Sequence, residues 1–467
     1  KDWYGRTVSL PLGVYAVRGQ LQDSRGQADG GLLHAFIPGR KTVGLPMEAE
    51  TELSRVKITR TRKAFRPWIR VLPALRKHEL GLVNRRQMID NAQARKAADG
   101  LSDSIVFESY HGKQISDSCR ALFDWVVAER PDLTCYWSIS SNSVSVPKGA
   151  TAIVQGSQEW FDVMYTSRYL VNNSNFPGYF RIGPDQKYLQ TWHGTPMKKI
   201  AEDMPPANLS LGYRVLMRRE AKAWGALLAQ NDFAARTLPA AFRYEGTTLD
   251  LGYPRNDVLV GEAAQRAREV TRNRLGIGTD DFVVVYAPTF RDDAKAAGGG
   301  YAFESELDID RLLADLPDRS VVLVRGHANT TGANSWSDSD RVIDVSTYGE
   351  ISELFAASDA LITDYSSMMF DYIVTRKPLL FYVPDLEEYE NSTRGFYLSF
   401  SEICPGPMHR DTKGLAVDLN RASRDPESFI DARYTEFAVA FAPHDDGHAT
   451  ERVVEALRER GWFGAPS

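Results

Sequence analysis

From about residue 104 onward the chain alternates short β-branched apolar runs with amphipathic runs, and this confines most of it to the α/β class. SIVFES precedes the helix-like SDSCRALFDWVVAER; TCYWSIS and TAIVQ read as strands, EWFDVMYTSRY as a helix and LVNNS as extended. KYLQTWHGT, GALLAQN and TTLDLGYPRND follow. A second series starts near residue 280, with strands in DFVVVYAPTFRDD, SVVLVRGHANT, RVIDVS, DALITDYSS and LLFYVPD, and helices in IDRLLADLP and SMMFDYIVTRKP. Two consecutive series of similar size predict two Rossmann-like domains facing a cleft, residues 101–258 and 259–467, with a helical tail at 448–460. Ligands are then expected at the carboxyl ends of the strands.

The first hundred residues differ. Residues 1–50 alternate short apolar runs with Gly and Pro and read as a small antiparallel β module. Residues 51–100 hold 13 Lys+Arg and 4 Asp+Glu, a net of +9, whereas the whole chain is −5, so the remainder carries −14. Between residues 55 and 86 the basic residues interleave with Trp68, Ile69, Val71, Leu72 and Leu75, which predicts a basic helix. Such a segment suits an anionic lipid surface; it is equally readable as a solvated linker.

The apolar content of 43% and charged content of 25% are those of a globular chain. The chain has no apolar run approaching the ~18 residues of a bilayer span, and no signal peptide is visible. It opens at Lys1 without a methionine and is expected to be a piece of a longer protein. Cys119, Cys135 and Cys404 make neither a CxxC pair nor an even set, so neither a disulfide framework nor a zinc site is expected, and a reducing cytoplasm suits them. The P-loop pattern and a clean GxGxxG are both missing from the sequence. Asp308 and Asp310 in LDIDRL read as a helix start, not a metal site.

Polar residues collect where the strands end. In LITDYSSMMFDY a strand finishes at Asp364, and Ser366 and Ser367 open the next helix, a place suited to a phosphate. Alone, this is an ordinary helix cap. QTWHGTPMKK brings His193 to a Gly–Thr–Pro turn, followed by Lys198 and Lys199. The histidine can accept a proton near neutral pH, or be a loop histidine and nothing more. VLVRGHAN ends in Arg325 and His327, YAPTFRDD in Pro288, Thr289 and Arg291, and TRGFY places Arg394 beside Gly395. Apart from TRGFY, these segments all follow predicted strands, so phosphate ligands, hydroxyls and a histidine converge on one rim. That collection suits phosphoryl or glycosyl transfer from a nucleotide diphosphate donor.

The segments QTWHGTPMK, LGYPRNDVL, YAPTFRDD, VLVRGHAN, ISELFAASDALITDYSSMMFDY, RGFY, CPGP and DGHATERV stand in the order of one family. Over about residues 186–455 the chain resembles the CDP-glycerol glycerophosphotransferases, the teichoic acid polymerases and primases of Gram-positive bacteria. The resemblance implies a GT-B-like fold and attack of an acceptor hydroxyl on the alditol-side phosphorus of CDP-glycerol, with CMP leaving. It implies His193 as general base, and His327, grouped with it as catalytic, together with Arg325 as donor phosphate ligands. Ser366 and Ser367 become diphosphate binders, and Arg394 a further phosphate contact.

Asp364 is grouped with the diphosphate site, Pro288, Thr289 and Arg291 with the donor pocket, and Lys198 and Lys199 with acceptor headgroups. The donor is a CDP-activated polyol, with no cofactor and no metal. The acceptor is lipid-linked or polymeric, the setting a peripheral position on the cytoplasmic face of an anionic membrane, and nucleic acid is not a partner. Phe290, where Trp is usual, and Ala328 and Asn329, where bulkier residues are usual, leave the polyol open. CDP-ribitol transfer, a nucleotide-sugar glycosyltransferase and a non-enzymatic polyanion binder are the competing readings.

Overall fold

The computed structural model describes residues 1–16, 18–22, 28–34, 47–60, 67–206, 209–289, 307–326, 336–387 and 395–464. By its contacts the chain divides into two units, residues 1–115 with 131–170, and residues 116–130 with 171–467.

In the first unit, period-two alternation overrides the helical reading of residues 55–86. Arg55–Arg60 and Pro67–Leu72 are antiparallel strands. In RVKITR and PWIRVL, β-branched and aromatic residues alternate with basic ones, a pattern that fits a pleated surface better than a helix face. The helix begins only at Leu82 and runs to Asp99. The β reading of residues 1–50 holds, but those strands do not stand alone. Gly13–Ala16 pairs with Pro67–Leu72, and Met47–Glu50 with Arg55–Arg60, giving one four-stranded antiparallel sheet. Arg18–Gln22 and Ala28–His34 form a separate antiparallel pair. The helix Leu82–Asp99 buries Met88 and Ala92 and packs on the helix Gln158–Thr166. Ser102–Glu108, Thr134–Ile139 and Ala150–Val154 are parallel neighbours.

The second unit contains two runs of parallel strands. Lys187–Gln190, Ala226–Ala229 and Thr248–Asp250 pair in that order. A six-stranded sheet follows the order Val342–Asp344, Ser320–Val324, Phe282–Ala287, Ala360–Thr363, Leu379–Tyr382, Met408–His409, with each neighbouring pair parallel. Ala360–Thr363 and Leu379–Tyr382 are buried along their whole length, as strands covered on both faces must be. On one face Val284, Val322, Ile362 and Leu380 meet Leu312, Leu313, Leu415 and Leu419 from the helices Ile309–Asp315 and Thr412–Ala422. Asp308 caps the first of these helices through Arg311 N at 3.0 Å, as its sequence position predicts. The tail is the helix Ala449–Glu459, with Val453, Val454 and Leu457 buried.

The three cysteines are buried thiols. Among the described residues, no helix is long and apolar enough to cross a membrane.

Candidate active site

The strand Lys187–Gln190 delivers the chain to a tight turn. Gln190 holds the turn with both ends of its side chain: the oxygen accepts from Trp192 N at 2.9 Å, and the amide nitrogen donates to Ser174 O at 2.6 Å. Trp192 has a φ of 51°, a left-handed conformation that a bulky residue adopts only when its surroundings impose it. Its ring lies against His193, with centroids 4.2 Å apart, and meets Phe242 edge-on.

His193 is exposed, and its Nδ1 lies 2.8 Å from Asn173 O. A carbonyl can only accept, so Nδ1 carries the proton. In the neutral ring Nε2 is then the basic nitrogen. The turn fixes the ring, the carbonyl selects the tautomer, and exposure leaves the imidazole within reach of a substrate.

Gly194 joins this turn to the serines. A Cβ at Gly194 would lie 3.4 Å from Ser367 Oγ and 3.8 Å from a terminal guanidinium nitrogen of Arg255. Thr195 continues inward: its hydroxyl donates to Gln230 Oε1 at 2.8 Å and accepts from Asn231 Nδ2 at 2.9 Å. Gln230 Nε2 donates to Phe370 O at 2.8 Å and to Asp445 Oδ2 at 2.9 Å. Burial pushes the Asp445 carboxyl up to about 7. Segments quoted separately in the sequence are therefore parts of one hydrogen-bonded body.

Ser366 and Ser367 do not head a long helix. A single α turn, Met369–Tyr372, runs into the 3-10 turn Ile373–Thr375. Arg376, with a φ of 53°, ends it just before Lys377 and Pro378. The dipole of so short a helix is small, so any anion holding here falls mainly to hydroxyls and cations. Ser366 Oγ accepts from Met368 N at 3.3 Å, and both serines are half-buried.

Thr289, Arg325 and Asp364 follow three neighbouring strands at their carboxyl ends, where Tyr286 pairs with Val324 and Ala287 with Thr363. Asp364 Oδ1 accepts from Thr289 N at 2.7 Å and also from the Thr289 hydroxyl. This carboxylate thus ties two strand ends together. Pro288 precedes it, half-buried. Arg325 donates through one terminal nitrogen to Tyr348 O at 2.8 Å, which fixes the guanidinium beside the strand end.

Lys198 and Lys199 pair with the other loop. Lys199 N donates to Gly395 O at 2.9 Å, Tyr397 N donates to Met197 O at 2.8 Å, and Lys198 bridges Phe396. The TPMKK and RGFY segments, nearly two hundred residues apart in sequence, are thereby stitched together. His327, Arg291 and Arg394 lie outside the described residues.

Sequence reasoning assigned no role to Arg255 and Asp371. Arg255 is buried and donates to both oxygens of Asp371 at 2.9 Å, and to Asp117 Oδ2 at 2.9 Å. Asn256 Nδ2 adds a bond to Asp371 at 3.0 Å. Glu350 accepts from Asp117 N at 2.9 Å; burial, and then the charge of Asp117, push it up to about 7. The signal lies in LGYPRND and MMFDY, segments that carry the family resemblance.

These features define a GT-B-like α/β protein, with an anchored, exposed histidine in a turn that meets a serine segment, and an arginine at a strand end. The chain belongs to the CDP-Glycerol:Poly(glycerophosphate) glycerophosphotransferase family, which it matches over residues 93–459. That match begins upstream of the segments that first carried the resemblance. The chain is 33% identical over 426 residues to a teichoic acid poly(glycerol phosphate) polymerase of Staphylococcus epidermidis, covering 89% of this chain and 57% of that protein. With the polymerase of the same description from Bacillus subtilis it shares 33% over 362 residues, covering 76% of this chain and 48% of that one. It thus spans about half the length of these curated relatives. The solved wall teichoic acid polymerase TagF, in a variant soaked with CDPG, superposes with a TM-score of 0.72 at 31% identity, covering 82% of this chain and 98% of that one.

Proposed function

We propose that this chain transfers glycerol phosphate from CDP-glycerol to a hydroxyl of a polymeric, lipid-linked acceptor, releasing CMP, in the synthesis of a teichoic-acid-like polymer. The observation that carries the reading is the His193 turn: a tautomer-fixed, exposed imidazole followed by Gly194, where an added Cβ would lie 3.4 Å from Ser367 Oγ, within a chain of this family.

In the proposed step, Nε2 of His193 takes the proton of the acceptor hydroxyl. The acceptor oxygen bonds to the glycerol-side phosphorus, the bond from that phosphorus to the bridging oxygen breaks, and CMP leaves with that oxygen. Negative charge grows on the departing CMP. Arg325, Ser366 and Ser367 are the described groups suited to meet it, and His327, Arg291 and Arg394 share that role by resemblance. Lys198 and Lys199 serve the acceptor's phosphates. Asp364 acts through Thr289 rather than by touching an anion, since a carboxylate repels a diphosphate. CDP-glycerol is a substrate, and the proposed step calls for no resident cofactor or metal.

The acceptor is proposed to lie at the cytoplasmic face of an anionic membrane, with the chain held there peripherally. Exposed Arg70, Arg76, Lys77 and Arg86 accompany Leu82 and Val83, which are 77% and 84% exposed at the start of a helix. Exposed apolar residues with exposed cations close in sequence suit an interfacial anchor.

A donor screen tests the reading. CMP release in the presence of acceptor is expected from CDP-glycerol, with CDP-ribitol slower. Release from CDP-ribitol alone would change the polyol, and turnover of a nucleotide sugar without CMP release would replace the reaction class.

A further inference from the structure

The Arg255 cluster has a composition that phosphate binding does not explain. An arginine near a diphosphate site ordinarily offers its fork to the anion. Here Nε and one terminal nitrogen are directed at Asp371, at 3.1 and 2.9 Å, and the other terminal nitrogen at Asp117, at 2.9 Å. The cation also lies over the ring of Tyr253 at 4.4 Å. Its charge is already balanced by two carboxylates, and only 6% of the residue is exposed. On the site side it faces the Gly194 turn: a Cβ added at Gly194 would lie 3.8 Å from a terminal guanidinium nitrogen of Arg255 and 3.4 Å from Ser367 Oγ. Its carboxylate partners come from two further places. Asp117 opens the helix Asp117–Glu129 with a φ of 70°, and Asp371 sits in the turn that follows the serines, where it also accepts from Asn256, the neighbour of Arg255.

We propose that Arg255 is a positioning residue for the transfer step. Bound between Asp371 and Asp117, it forms the wall against which the His193–Gly194 turn rests, and so fixes the distance from His193 to Ser367. It acts through the backbone and through Asp371, without contacting the substrate. This rests on the transferase reading for its kinetic arm only.

Lysine at this position keeps the charge but cannot span two carboxylates in a planar fork, so Arg255→Lys should lower kcat about 100-fold, the scale of a misplacement near 1 Å. KM for CDP-glycerol should stay within about threefold, because the donor ligands are untouched. The second arm needs no substrate: NMR titration of the histidines in the full chain. His193 should change its resonance and its titration in Arg255→Lys, while the other histidines stay in place. Asp371→Asn should show the same pattern more weakly, and it serves if the lysine variant fails to fold. An unmoved His193 resonance in the folded variant overturns the proposal, as does a fall in kcat that only follows the loss of folded protein. If the wild-type chain does not turn over CDP-glycerol, the transferase reading fails, and the His193 resonance still decides the positioning role.

Discussion

At the scale of residues, the chemistry of the site turns on which nitrogen of His193 is basic. The carbonyl of Asn173 accepts from Nδ1, so Nε2 receives the proton. His193→Ala should therefore lose about 10²- to 10⁴-fold in CMP release, the range of general base catalysis, with an unchanged urea midpoint because the ring is exposed. Retained full activity would remove the base assignment. Asp445 gives a prediction of another kind. Its folded carboxyl is raised to about 7, whereas an ordinary aspartate titrates near about 3.9. The folded chain holds this proton more tightly than the unfolded chain does. The stabilisation is complete below about pH 3.9 and is lost as pH rises through about 7. Asp445→Asn cannot ionise, so relative to wild type it should gain stability between pH 5 and pH 8, read as the difference in thermal midpoint. A difference that does not vary with pH would refute the assignment.

At the scale of elements, what was legible and what was not follow from the range of the forces involved. The parallel strands were readable because burial on both faces writes a continuous apolar run into the sequence, as in FVVVYA and ALIT. The basic strands resemble a helix in sequence because a dense run of cations with scattered apolar residues obscures the short period-two pattern in RVKITR. Arg255 and Asp371 were invisible as a pair: they stand 116 residues apart, and no local pattern announces a contact made by folding. The same holds for Asp257, the last residue of PRND. It accepts from Ala449 N and Thr450 N, each at 2.8 Å, and so caps the helix Ala449–Glu459 from a distant segment. His448, at the ordinary capping position, makes no side-chain cap. Asp257→Ala should cost about 1 kcal/mol, within the usual range for a lost cap, measured as a shift in urea midpoint at constant slope. A change below the error of that measurement would show that the helix is held by Val453, Val454 and Leu457 alone.

At the scale of the whole molecule, a net charge of −5 hides a basic first hundred residues, and the fold decides what that asymmetry can do. Arg55 and Lys57 lie on a strand at the middle of the four-stranded sheet and pair with Glu48 across it, so part of the basic charge is spent inside the sheet. Arg70, Arg76, Lys77 and Arg86 are exposed, and with Leu82 and Val83 they are the part available to a membrane. Deleting the segment would remove two strands and test folding instead of binding, so substitutions are the informative variants. The triple variant Arg76→Glu, Lys77→Glu, Arg86→Glu should lose most binding to vesicles containing phosphatidylglycerol, since each basic residue near such a surface contributes about 1 kcal/mol. Leu82→Ser with Val83→Ser should remove the part of binding that survives raised salt, because apolar insertion is not screened. Co-sedimentation at low and high salt separates the two contributions. Equal sedimentation of wild type and both variants would show that these basic residues are only solvated, and would remove the proposed membrane contact.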